Sequence, residues 1–151
     1  MRSFNSLGIG HDIDRIPREF EAYSQYTCTL SEWKNKNDRN DYVFHYTTLQ
    51  NAKSILRMMK IKVTEARIKK FGTGVFMTKM EPIEAESTLL HNIYLGNPKY
   101  ESRLECAFAI HKHHSRAYEF NDPMYPRRDL WKSNNDIHLN EDNFVLVIRK
   151  S

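Results

Sequence analysis

Tyr42-Val43-Phe44-His45-Tyr46-Thr47-Thr48-Leu49-Gln50-Asn51-Ala52-Lys53-Ser54-Ile55-Leu56 is the stretch on which the fold turns. Tyr42 to His45 have strand character, and the residues after them read as a capped helix. Thr47 and Gln50 fit a capping box, in which a hydroxyl and a side-chain amide satisfy N–H groups orphaned in the first helical turn. Leu49, Ala52, Ile55, Leu56 and Met59 recur at helical spacing and give one apolar face. His45 is therefore expected at a strand end, against a helix N-terminus. Such junctions in mixed α/β folds often face a ligand, and a helix N-terminus favours anionic groups such as phosphates. The alternative is a histidine satisfied within the protein, with no ligand to meet.

A second stretch, Phe71-Gly72-Thr73-Gly74-Val75-Phe76-Met77-Thr78-Lys79-Met80, lies downstream. Its glycines lead into a short apolar strand. Between the two stretches, Ile61 and Val63 alternate with Lys60 and Lys62, the pattern of another short strand. The order strand-His-Tyr-Thr, helix, strand, Phe-Gly-x-Gly-Val-Phe resembles the ADP-ribosyltransferase superfamily. Within it the chain is similar to the His…Tyr…acid branch that includes the poly(ADP-ribose) polymerases, and most of all to HYD-signature toxin-type domains. The likeness covers residues 42–80 well and the remainder loosely.

The resemblance implies an α+β chain folded as a split β-sandwich with flanking helices and a NAD cleft between its halves. NAD would be the substrate, its nicotinamide–ribose bond cleaved and ADP-ribose passed to a protein or nucleic-acid acceptor, or to water. Positive charge grows on the ribose in such a reaction, and a nearby carboxylate stabilises it. By resemblance, His45 bonds the adenosine-side ribose, the backbone of Tyr46 meets the nicotinamide amide, and Thr47 adds a hydroxyl beside it. Gly74 lets the backbone approach the ligand. Phe76 stands where the family has tyrosine; its ring can still stack on nicotinamide, or it can be a plain core residue. Tyr94 or Tyr118 could supply a further aromatic. The acid is expected just before a late apolar strand, at Asn140-Glu141-Asp142-Asn143-Phe144-Val145. The closest register puts Asn143 at the acid position, leaving Glu141 and Asp142 as the candidate carboxylates. Phe76 and Asn143 together favour a second reading, a NAD- or nucleic-acid-binding module that has lost catalysis.

Size and composition frame these expectations. At 151 residues, 40% hydrophobic and 28% charged, the chain suits one globular domain with a real core. No apolar run is long enough for a membrane span, and the N-terminus lacks the apolar core of a secretory signal. Cytoplasmic residence is the expectation, or delivery into another cell as an effector. The net charge of +4 is mild and its basic residues are dispersed, which argues against a relative of the RNA 2′-phosphotransferases. Cys28 and Cys106 have no metal-ligand spacing. His111 and His113 would share a strand face, but no third ligand is near, so no metal is expected.

Residues 1–41 are expected to form an N-terminal arm and a helical element packed on a domain spanning 42–151. Phe20, Tyr23, Tyr26, Leu30 and Trp33 follow an approximate helical stripe after Pro17. Lys34 to Asp41 reads as a loop. Thr64 to Lys70 reads as a helical turn, and Pro82 opens a helix that Gly96 and Pro98 end. Cys106, Phe108 and Ile110 predict one strand face, with Ala107 and Ala109 on the other. Tyr118 to Phe120, Leu130-Trp131 and Ile137 to Leu139 are short strand candidates. Phe144 to Ile148 predicts a strand buried on both faces. The sheet is therefore expected to be small, two-part and mostly antiparallel.

Overall fold

The computed structural model describes residues 15–36, 40–66 and 69–150. Residues 1–14 of the expected N-terminal arm lie outside them. In chain order the strands are β1 (Thr27–Thr29), β2 (Tyr42–Thr47), β3 (Lys60–Ile61), β4 (Thr64–Glu65), β5 (Thr73–Met77), β6 (Cys106–His111), β7 (Tyr118–Phe120), β8 (Leu130–Ser133), β9 (Ile137–His138) and β10 (Phe144–Ile148). The α-helices are α1 (Leu30–Lys34), α2 (Leu49–Met58), α3 (Glu86–Tyr94) and α4 (Lys112–Ser115). The class is α+β, as expected.

Two four-stranded sheets carry the architecture, ordered β1-β10-β6-β2 and β4-β5-β8-β7, with β3 and β9 forming a separate pair. Only β1 and β10 run parallel; every other pairing among the described residues is antiparallel. Cys106 to Ile110 of β6 are fully buried, because this strand sits inside the first sheet and both its faces are covered. On one face Val43, Phe108, Ile110, Phe144 and Leu146 pack with Ala52 and Leu56 of α2 and with Phe20. On the other, Phe44, Tyr46, Ala107 and Val147 pack with Trp33 and with Leu89 and Leu90 of α3.

The two sheets pair backbone to backbone at one isolated bridge, Phe44 with Thr78. Phe44 N–H donates to Thr78 O at 2.7 Å, and Thr78 N–H returns a bond to Phe44 O at 3.0 Å. Beyond it, no ladder joins β2 to β5. The two sheets diverge from that point.

Several expected boundaries move. The stripe from Phe20 to Trp33 is not one helix: Arg18–Tyr26 is 3-10, Thr27–Thr29 is β1, and α1 starts at a capping box of Thr29 and Glu32. Pairing of β1 with β10, Thr27 opposite Leu146, overrides the helical period. Residues 27–29 thus belong to the first sheet, and the division at residue 41 separates a strand from its own sheet. The second helix is capped by Thr48, whose hydroxyl accepts from Asn51 N–H at 3.0 Å, rather than by Thr47 with Gln50. Thr47 is the last residue of β2, held there by pairing with Cys106. Thr64–Glu65 is a strand rather than a helical turn, and α3 starts at Glu86 rather than at Pro82.

Phe20 is fully buried against both α2 and the sheet. Phe20→Ala is expected to cost about 3–5 kcal/mol of stability, as for other buried aromatics, read from urea unfolding. A loss under about 1 kcal/mol, well below that range, would show that the N-terminal segment is an accessory to the fold.

Candidate functional site

Where the sheets part, a cavity of about 340 Å³ opens. His45, Tyr46 and Thr47 of β2 form part of its wall, facing Phe76, Met77 and Thr78. Phe71, Phe120 and Leu130 add apolar surface, and Glu65, Arg103 and Arg128 add charge. The His-Tyr-Thr stretch and the Phe-Gly-x-Gly-Val-Phe stretch therefore meet at one cavity.

His45 joins them directly. Its Nδ1 lies 2.9 Å from the carbonyl oxygen of Phe76. A carbonyl can only accept, so Nδ1 carries the proton and Nε2 of the neutral ring is left as an acceptor. Burial lowers the pKa of His45, with the Phe76 hydrogen bond acting in the opposite sense. The site thus holds a neutral imidazole that can accept a ligand hydroxyl. Tyr46 behaves differently: its side chain is buried on the other face and donates its hydroxyl to Met80 O at 2.7 Å. Its backbone is what faces the split. Phe44 directs N–H and C=O at Thr78, and in an extended strand Tyr46, two residues on, directs its own to the same side.

The helix N-terminus is less open than expected. Leu49 N–H bonds Oε1 of Glu105 at 2.9 Å, and Asn51 N–H bonds Thr48. Carboxylate and hydroxyl already occupy the place where a ligand phosphate was expected to dock. Asn51 nonetheless contributes to the wall. Behind Thr47, the Cys106 thiol is buried and donates to Thr47 O at 3.4 Å. Burial pushes its pKa up, so it is a core thiol and no nucleophile.

Gly74 does not line the cavity. A Cβ there would lie 2.8 Å from Ser133 O and 3.4 Å from Cδ of Lys132. The glycine is required by close approach of β8 and by the stem of Lys132, not by a ligand. Gly72 has φ +73° and lies near the end of the same side chain, its Cβ position 3.5 Å from Lys132 Nζ.

The expected acids are also elsewhere. Glu141 and Asp142 are exposed in the turn before β10 and form no part of the wall. Asn143 is buried, but both ends of its amide are used locally: Oδ1 accepts from Asn140 N–H at 3.0 Å, and Nδ2 donates to His138 O at 3.1 Å. Register gives the reason. His45 lies opposite Phe108, and Phe108 opposite Leu146. Asn143 lies three residues before Leu146, where its carbonyl takes the His111 N–H, level with Tyr42. The strand beside Phe76 is β8, not β10, and the residue paired with Phe76 is Lys132.

Four features have no counterpart in the sequence-based expectations: Phe71 and Phe120 as cavity walls, Glu65 as the carboxylate there, and Lys132 as the neighbour of Phe76. Alternation of Tyr118 and Phe120 is a usable signal for one of them. Nothing local marks Lys132. Tyr94 lines the cavity while Tyr118 is exposed and bonds Asn134. His111 ends β6 with its ring against Tyr42, and α4 takes His113 off the strand. No cluster of three metal-ligating side chains occurs among the described residues. Nor is any described helix long and apolar enough to cross a membrane.

No protein-family model matches the chain, and no curated protein or solved structure does either.

A lowered His45 pKa fixes the sign of a pH effect. The unfolded chain takes up the proton first, near the ordinary histidine value of about 6.5, so the contribution of His45 is complete above that pH and is lost as pH falls below it. His45→Gln is expected to flatten the part of the stability–pH profile below about 6.5, measured by urea unfolding at stepped pH. An unchanged profile would show that His45 titrates freely.

Proposed function

We propose that the cleft binds NAD-type nucleotides, those containing ADP-ribose, on the plan of the ADP-ribosyltransferases. The observation that supports this is the bond from His45 Nδ1 to Phe76 O, which brings His-Tyr-Thr and Phe-Gly-x-Gly-Val-Phe to one cavity wall. In this reading Nε2 of His45 accepts from the adenosine-side ribose, the backbone edge of Tyr46 and the hydroxyl of Thr47 serve the nicotinamide amide, and Phe76 offers its ring for stacking.

Transfer of ADP-ribose from NAD to a protein or nucleic-acid acceptor is the activity that plan carries. It needs a carboxylate near the ribose cation. Glu65 is the one carboxylate among the described residues of the wall, and the role falls to it in preference to Glu141 and Asp142. A second reading, binding without turnover, is favoured by a specific observation: the partner of Phe76 across β8 is a lysine, a cation where a cation has to be stabilised.

Nicotinamide release from NAD separates the two. With turnover, Glu65→Gln is expected to lower the rate about 100-fold or more, while Glu141→Gln combined with Asp142→Asn leaves it unchanged. Binding without release in the wild type selects the second reading. Absence of both binding and release would end the nucleotide reading.

A further inference from the structure

Lys132 is placed where the chain can read the charge of a ligand. Its stem runs over Gly74, and its Nζ donates to Phe71 O at 2.7 Å. The ammonium lies 5.8 Å from the Phe76 ring centre and 5.9 Å from that of Phe120. Phe120 in turn stands edge-on to both Phe71 and Phe76, with ring centres 5.1 and 6.0 Å away. Phenyl rings against a cation form the kind of box that holds quaternary or ring cations by attraction to their π faces, and Phe76 and Phe120 are those rings for Lys132. Here the chain has filled its own box. All three rings also line the cavity while Lys132 does not, so a ligand ring stacked on the cavity face of Phe76 has a fixed positive charge behind that ring.

We infer that this end of the cleft rejects a cationic ring, so that nucleotides with a neutral ring or none, NADH and ADP-ribose, are held in preference to NAD⁺. The inference rests on the nucleotide reading of the cleft and sets its ligand class. A cationic ring stacked on Phe76 lies about 10 Å from the ammonium, one stacking distance beyond the 5.8 Å to the Phe76 ring, and two unit charges at about that separation repel enough to weaken binding about 2- to 20-fold, across the range from water-like to protein-surface dielectric. Glu65, the carboxylate of the wall, is exposed and is screened accordingly. The ammonium is half-buried among rings. The site is thereby suited to retaining ADP-ribose or a reduced dinucleotide, and poorly suited to gathering NAD⁺ for cleavage.

Calorimetric titration of the full chain with NAD⁺, NADH and ADP-ribose tests this. The wild type is expected to bind NADH and ADP-ribose about 2- to 20-fold more tightly than NAD⁺. In Lys132→Gln, which keeps a donor for Phe71 O but no charge, the NADH to NAD⁺ ratio should fall to near one. Lys132→Met is measured alongside, and melting curves show whether each variant is folded. Equal or tighter binding of NAD⁺ by the wild type overturns the inference, as does a ratio that persists in both folded variants. His45→Ala distinguishes failure of the underlying reading. If nucleotide affinity is indifferent to it, or no nucleotide binds the wild type, the cleft is not a nucleotide site and the inference falls with it.

Discussion

Two hydrogen bonds between Phe44 and Thr78 are the one place where the two main sheets pair backbone to backbone, and they mark where the sheets separate. A longer ladder between β2 and β5 would close the gap and make one continuous sheet. With a single bridge, the strands pair once and diverge. The His45 side chain then reaches across to Phe76 O, spanning the beginning of the gap with an imidazole where backbone bonds have stopped. The cavity, its aromatic walls and the place of Tyr46 in its lining all result from that divergence.

The bridge is fixed by a buried polar network. Thr78 Oγ donates to Asp129 Oδ1 at 3.1 Å and accepts from Nδ2 of Asn92 at 3.1 Å. Asp129 Oδ1 also takes Lys79 N–H, and Asn92 Oδ1 takes Asp129 N–H. Arg128 closes the set, donating to Asn92 O, Ile93 O and the Asp122 carboxylate. Such networks specify one arrangement when every member is satisfied, because an orphaned polar group in a dry interior is costly. α3 and the segment leading into β8 are thereby locked to the strand that carries Phe76. The segment after Phe76 is thus held by polar contacts, and β2 by apolar packing on both its faces.

Much of this is legible in the residues. Continuous apolar runs identify β6 and β10, and the Phe-Gly-x-Gly-Val-Phe run gives β5. The two stretches expected to share a site meet at one cavity. Other features depend on pairing that no local pattern encodes. Thr47 and Thr48 are equally good caps by composition, and the choice between them is made where β2 stops pairing with β6. The stripe from Phe20 to Trp33 has a helical period, but its middle is drawn into the sheet by β10. The acid before the last apolar strand fits a motif in sequence, yet the motif says nothing about which sheet that strand enters. β10 joins β6, away from Phe76, and the place beside Phe76 goes to β8 and Lys132. A glycine at position 74 suggests room for a ligand, whereas the room is taken by Ser133 O and the lysine stem.

The central claim is that the gap after the Phe44–Thr78 bridge is a nucleotide site. Mapping backbone amide shifts by NMR while titrating ADP-ribose addresses it most directly. The account predicts saturable shifts at His45, Tyr46, Thr47, Phe71, Phe76 and Phe120, with Glu141 to Phe144 unmoved. Shifts centred on Glu141 to Phe144, with residues 45–47 and 71–76 silent, would contradict it.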